Sequence, residues 1–291
     1  MKVGVVGYGS IGKRHADNAQ VLGHNVTVYD PKERRDVKFE RMIYEDCDAI
    51  VVATPSTAHE GPLRAAIEHG KHVLIEKPIS TSIGALPELL RAAAEKRLTI
   101  MMGNNLRFHP CVQQAEEWID AGEIGVPIWA QFTCAANSVK PLYLSDGVIL
   151  NTGAHEVDMA LHLFGPATVV YAHARFKRFN APDADDIVDF MLYHESGVRS
   201  SFHLDFVTPN EIREAWIVGD KDKIGMELRN RNVSLGGRAM GRPGNYDGDY
   251  FAEMTAFFAR IAGDTTTGAT GEDGLATLRV LLDVRKMAGL I

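Results

Sequence analysis

Residues 3–16, VGVVGYGSIGKRHA, decide how the chain begins to fold. An apolar run led by Lys2 stops at Gly7, and a helical pattern opens near Ser10 and lasts to Gly23. Between them stand Gly7, Gly9 and Gly12 in GxGxxG spacing. The spacing alone is weak, because glycine is common; a strand before it and a helix after it give it meaning. Gly7 permits a tight turn, Gly9 lets a pyrophosphate approach the backbone, and Gly12 lets helix and strand pack closely. The N–H groups of the helix start then face the phosphates. Gly7, Tyr8, Gly9, Ser10, Ile11 and Gly12 are therefore candidate dinucleotide contacts, with a plain tight turn as the blander reading.

Working outward, the same rhythm repeats over the first hundred residues. NVTVYD, DAIVVATP, HVLIEKP and LTIMMGN read as strands, and EGPLRAAIEHG and GALPELLRAAAEKR as helices between them. Strands apolar on both faces and separated by helices imply a parallel sheet covered on both sides, wound in the doubly wound manner. DPKERRDVKFERMIYEDC is charged and weakly patterned, and reads as a reduced helix or a loop. Beyond residue 124 the pattern changes. VPIWAQFTCAA, TVVYAHARFKRF, IVDFMLYHE, GVRSSFHLDFV, EAWIVGD and KIGMELRN read as strands without helices between most of them, which implies a mostly antiparallel sheet. The expected fold is α/β plus α+β: a Rossmann-type domain over 1–118, and a second α/β domain with a large open sheet over 119–291.

Composition limits the function classes. The chain has 291 residues, 45% hydrophobic and 24% charged, as ordinary globular proteins do. A formal net charge of -7 argues against a nucleic-acid surface. No apolar stretch approaches the roughly 18 residues of a membrane helix, and no signal-peptide pattern opens the chain. Cys47, Cys111 and Cys134 are widely separated and form no CxxC pair, which fits a reducing cytoplasm.

In a doubly wound sheet, ligands bind beyond the carboxyl ends of the strands. The second strand ends at Asp30, whose carboxylate would accept the adenosine ribose hydroxyls and repel a 2′-phosphate. NAD is therefore the expected cofactor, with NADP kept open because Arg34 and Arg35 could host that phosphate if their loop folds back. Further along, Thr54, Pro55 and His59 follow one strand, Glu76, Lys77 and Pro78 another, and Asn104, Asn105 and Arg107 a third. Two charges and a proline ending a buried strand suggest a reacting centre there; a solvated ion pair is the blander reading.

These residues resemble a known family. GYGSIGKRHA, VVATPSTAH, VLIEKPIS, GNNLRFHP, GEIG, GVILNTGAHEVDMALHLFG, SSFHLDF and GEDGLATLRVLLDVRK look like successive motifs of the Gfo/Idh/MocA oxidoreductases, over nearly the whole chain. The resemblance implies a nicotinamide cofactor and a polyol, sugar or sugar-nucleotide substrate. It implies that Lys77 stabilises the oxygen that becomes a carbonyl as hydride leaves, with a cis peptide before Pro78. Thr54, Pro55, His59, Glu76, Lys77 and Asn105 would then lie along the cofactor.

Hydride transfer from an alcohol also requires a proton acceptor, and histidine suits neutral pH. The resemblance puts that role on His155, with Asp158 near it on the same helix. Asn151 stands where the family commonly has aspartate; it can hold a hydroxyl but cannot raise the basicity of His155, and it mildly favours a sugar-nucleotide substrate. Asp146 is a poorly spaced substitute. Arg107, Asn151 and His155 are the candidate substrate contacts, and Arg107 is equally readable as a structural anchor. His155, Asp158 and His162 share a helix face, but Met159 stands where HExxH has its second histidine, so no metal is expected. His203 and Asp205 alternate on a strand and read equally as substrate contacts or structural polar residues. The expected activity is NAD(P)-dependent hydride transfer at a hydroxyl or ketone carbon. The alternatives are a cofactor-binding regulator without turnover, and a lyase or glycosidase using transient oxidation. An uncovered sheet face in the second domain implies a homodimer or homotetramer.

Overall fold

The computed structural model describes all residues except 31, 33–36, 138–145, 176–183 and 265–266. They form two compact units, Met1–Phe108 with Asn245–Leu275, and His109–Gly244 with Ala276–Ile291. These differ from the contiguous halves 1–118 and 119–291, because Asn245–Leu275 belongs with the first unit.

The first unit is built on five parallel strands, β1 (Lys2–Val6), β2 (Asn25–Tyr29), β3 (Ala49–Val52), β4 (His72–Glu76) and β5 (Ile100–Gly103). A two-residue strand, β14 (Ala269–Thr270), adds antiparallel to β5, giving the order β14-β5-β4-β3-β1-β2. All of β3 and the centre of β4 are fully buried, which is why AIVV and VLI carry no polar alternation. The intervening helices are α1 (Ser10–Val21), α2 (Val37–Asp46), α3 (Glu60–Glu68) and α4 (Leu86–Glu95). The weakly patterned segment after β2 thus holds a regular helix. It is seated by Ile43 and Tyr44, both buried, where Gly4 of β1 leaves room for Ile43. Small buried residues of α1, Ala16 and Ala19, let a further helix approach, α8 (Tyr246–Ile261). Met254 and Phe257 of α8 join Val3, Val5, Val51, Leu74 and Met101 in one core.

The second unit is an eight-stranded sheet: β6 (Pro127–Ala135), β7 (Ala167–Arg175), β8 (Ile187–His194), β9 (Arg199–Asp205), β10 (Ile212–Gly219), β11 (Lys223–Glu227), β12 (Asn232–Leu235) and β13 (Arg238–Gly241). Its order is β13-β12-β11-β10-β6-β9-β8-β7; β6 and β9 run parallel and the other neighbours antiparallel. One cross-strand row is apolar and buried: Phe190 and Phe202 stack with centroids 4.3 Å apart, and Phe202 and Phe132 at 5.0 Å. That face carries α6 (Gly147–Asn151) and α7 (Gly153–Phe164) over β9, and α5 (Pro110–Asp120) over β11 and β12. The next row, of opposite orientation, runs Tyr171, Met191, Ser201, Gln131, Trp216. Its large members stay open to solvent, Tyr171 at 49%, Met191 at 38% and Trp216 at 39%. A last helix, α9 (Gly271–Met287), begins next to β14 in sequence. Among the described residues, no helix is long and apolar enough to cross a membrane.

Candidate active site

The glycine loop is closed at two positions and open at one. Gly7 has φ +93°, its N–H donates to the Tyr29 carbonyl at 2.8 Å, and a Cβ on it would lie 2.6 Å from the Ala53 carbonyl oxygen. A Cβ on Gly12 would lie 2.0 Å from the Gly7 carbonyl oxygen. A Cβ on Gly9 would meet nothing within 4 Å. Gly9 also caps α1 without any side-chain hydrogen bond of its own. Strand-to-helix packing thus accounts for Gly7 and Gly12, whereas Gly9 borders open space at a helix start, which fits a pyrophosphate. Tyr8 and Ser10 are exposed beside it, Ile11 partly so. Asp30 is tied to the same loop: Tyr8 N–H donates to Oδ2 and Lys32 N–H to Oδ1, each at 2.8 Å. Each oxygen keeps a lone pair for a ribose hydroxyl. Arg34 and Arg35 lie outside the described residues.

His59 is only 1% exposed, and its ring spans two strand ends, Nδ1 2.9 Å from the Pro78 carbonyl oxygen and Nε2 2.9 Å from that of Thr54. It therefore braces the loops after β3 and β4 from beneath, Pro55 beginning the turn that leads to it. The Lys77–Pro78 peptide is cis, and Lys77 is half-buried. Glu76, at the end of β4, accepts from the Lys77 N–H at 3.2 Å through Oε2. Its Oε1 meets Nε2 of His15 at 2.8 Å, a partner in α1 that motif spacing does not reveal. Burial pushes the Glu76 carboxyl up, but the His15 hydrogen bond and the charges of His15, Lys77 and His59 bring it below the usual range. Beside this pair stands Glu253 of α8, fully buried; the ligand atoms of His15, Glu76 and Glu253 lie within 4.8 Å of one another.

Asn104 and Asn105, after β5, are buried. Arg107 Nη1 pairs with Asp273 of α9 at 3.3 Å, and the Asp273 carboxylate also accepts the Thr270 N–H at 2.8 Å. The arginine is thereby tied to the residues that begin α9 beside β14.

In the second unit, Asn151 closes α6 and His155 lies in the first turn of α7. Both are partly exposed, while Gly153, Ala154, Val157 and Asp158 are buried. The two short helices are seated from below. Asp185 Oδ2 accepts the Ile149 N–H at 2.7 Å, its backbone carbonyl accepts Val148 N–H at 2.9 Å, and burial pushes its carboxyl up to about 6. Glu156 Oε1 receives Nε and Nη2 of Arg213 at 2.9 and 2.6 Å, fixing α7 to β10. Asp146 is buried just before α6. His162 meets Glu116 of α5, Nε2 to Oε1 at 3.0 Å. His203 bridges Asp189 at 2.7 Å and Asp205 at 3.1 Å, and Asp205 also accepts two backbone N–H groups at 2.8 Å and the Thr208 hydroxyl at 2.6 Å. These contacts form one polar network on the sheet: burial pulls His203 down, but the two carboxylates raise it overall.

Comparisons with known proteins bear on both units. Residues 1–104 match a family model described as an oxidoreductase family with an NAD-binding Rossmann fold, and residues 112–225 match the GFO/IDH/MocA C-terminal domain. The chain is 27% identical over 265 residues to scyllo-inositol 2-dehydrogenase (NAD(+)) of Bacillus subtilis, covering 81% of this chain and 76% of that protein. The chain spans about half the length of several curated relatives, 55% of the uncharacterized oxidoreductase YrbE of Bacillus subtilis among them. Among solved structures, UDP-N-acetylglucosamine 3-dehydrogenase from Acidithiobacillus ferrooxidans has the same fold, with a TM-score of 0.85 at 23% identity over 100% of this chain and 98% of that one.

Proposed function

Because the chain belongs to the Gfo/Idh/MocA oxidoreductases, an NAD-binding family, we propose that it moves a hydride between NAD and a hydroxyl or ketone carbon of a cyclitol, sugar or sugar nucleotide. The substrate class is supported by the names of two relatives, an inositol dehydrogenase and a UDP-N-acetylglucosamine dehydrogenase. The single observation that carries the reading is the strand end Glu76–Lys77–Pro78, in the same unit as a glycine loop open at Gly9.

Bound NAD supplies the hydride acceptor; the rest is work for this chain's own groups. The first-turn N–H groups of α1 and the backbone at Gly9 hold phosphate, and the Asp30 carboxylate takes ribose hydroxyls. Lys77 donates hydrogen bonds to the substrate oxygen, stabilising the charge that develops there. The anionic Glu76 favours the charged lysine. His155 takes the hydroxyl proton, and Asn151 orients that hydroxyl without adding charge. The domain roles follow: cofactor on the first sheet, substrate recognition on α6 and α7, and self-association through the open row of Tyr171, Met191 and Trp216. A cytoplasmic setting fits three cysteines that form no disulfide.

The test is turnover on a panel of inositols and UDP-sugars with NAD, read as NADH absorbance. Lys77→Met is expected to lose about 10²–10³-fold in kcat and His155→Ala about 10²–10⁴-fold, with NADH still bound. Full turnover by both variants on an accepted substrate refutes the assignment. Tight NADH binding with no turnover across the panel favours the regulator reading that the neutral Asn151 raises.

A further inference from the structure

Glu253 stands in an otherwise apolar stretch of α8, is 0% exposed, and neither carboxyl oxygen has a side-chain hydrogen-bond partner among the described residues. A lone buried carboxylate in that position costs several kcal/mol. Its neighbours make ionisation harder. Glu76 faces it from β4, and Asp249 and Tyr250 lie close on its own helix; His15 faces from α1, and the Asn104 backbone is the favourable dipole nearby. Lys77 and His59 act on Glu76. Two carboxyls this close make no hydrogen bond unless one carries a proton, and like charges at that distance do not both ionise in a buried site.

We propose that Glu253 is a positioning residue for the Lys77 centre: it keeps a proton, donates it in a hydrogen bond to the Glu76 carboxylate, and so holds Glu76 anionic beneath Lys77. The proton stays with the pair. His15 secures one oxygen of Glu76, the Lys77 N–H the other, and the Glu253 O–H supplies a further donor. Burial and the charge of Glu76 push the Glu253 carboxyl well above its ordinary range, in keeping with the geometry. A divalent cation among the three residues is the competing occupant. It would have to displace the 2.8 Å contact between His15 and Glu76. The inference rests on the reading of Lys77 as the reacting group's partner, and its test avoids turnover.

Three readouts on the whole protein decide it. The infrared spectrum at pH 7 should show the C=O stretch of a buried protonated carboxylic acid, lost in Glu253→Gln. The pH profile of Lys77 acylation by an amine reagent, read by peptide mass spectrometry, should coincide for wild type and Glu253→Gln, because an amide N–H replaces the acid O–H. In Glu253→Met the Glu76 charge, no longer shared with a donor, acts more fully on Lys77, so the profile should shift to higher pH, lowering the rate at a fixed pH by about threefold. Metal analysis of the purified protein should find less than stoichiometric divalent metal. The proposal falls if the carboxylic band is absent, if Glu253→Gln behaves like Glu253→Met, if Glu253→Met matches wild type, or if stoichiometric metal is lost on Glu253→Gln. A failure of Lys77→Met to affect turnover leaves these readouts intact and counts against the catalytic reading alone.

Discussion

Adding one methyl group at two glycines of the same loop should have opposite consequences. At Gly12 the new Cβ would sit 2.0 Å from the Gly7 carbonyl oxygen, where ordinary contact begins at 3.4 Å. The neighbour is backbone and cannot rotate away, so helix and strand have to separate. Overpacking of that severity costs about 3 kcal/mol or more, which at 2–4 °C per kcal/mol lowers Tm by about 6–12 °C. At Gly9 the same methyl meets nothing within 4 Å. The fold loses only cap quality, about 1 kcal/mol or less and up to about 4 °C. The methyl nevertheless takes the space through which a phosphate reaches the N–H groups of α1. Losing one such charge-assisted hydrogen bond costs about 1.5–3 kcal/mol, or roughly 10–150-fold in Kd. Differential scanning fluorimetry gives Tm, and calorimetric titration with NADH gives Kd. A folded Gly9→Ala that binds NADH within about twofold of wild type would refute the argument, as would a Gly12→Ala with unchanged Tm.

Other expectations are as direct. Asp30→Ser should lower the preference for NADH over NADPH by about tenfold, since about 1.4 kcal/mol of ribose contact and phosphate repulsion goes with the carboxylate; an unchanged ratio of Kd values rules this out. Asp185 titrates near 6 when folded against 3.8 ordinarily, burial being the cause. Between those values the unfolded chain has released a proton that the native one keeps, so stability falls as pH rises through the window, by up to about 3 kcal/mol. In Asp185→Asn the plot of Tm against pH should flatten over that range, and a slope equal to wild type would count against it. Trp216→Glu places a charge in the open row of the second sheet and should convert a dimer or tetramer to monomer in light scattering; wild type already monomeric at micromolar concentration removes that interface.

What the sequence makes legible is what is local. The loop at Gly7, Gly9 and Gly12, the strand ends at Asp30 and Lys77, and the six longer strands of the second unit are readable because turn chemistry and alternation act over a few residues. α5 was hidden by its start, where His109 replaces the usual Ser or Asp: its Nδ1 accepts the Cys111 N–H at 3.2 Å while Nε2 donates to the Leu228 carbonyl at 3.0 Å. The β12–β13 hairpin and β14 are too short to leave a period. The His15, Glu76 and Glu253 cluster was invisible for another reason. Its members come from α1, β4 and α8, remote in the chain, and the only trace was a glutamate in an apolar helix stretch. The same limit applies to the partners of His59 and Arg107, the Pro78 carbonyl and Asp273, which lie far along the chain from them.

That Asn245–Leu275 returns to the first unit has a bearing on synthesis. As the chain leaves the ribosome, the five parallel strands are available early, yet the helix covering α1 and the strand closing the β5 edge come only after all eight strands of the second unit. Until then Val3, Ala16 and Ala19 lack Met254 and Phe257, and the nascent nucleotide-binding fold carries a bare apolar flank and an unpaired margin. An N-terminal fragment cut at a conventional Rossmann boundary should therefore be sticky and chaperone-dependent, and the first unit should mature only once Asn245–Leu275 has been made.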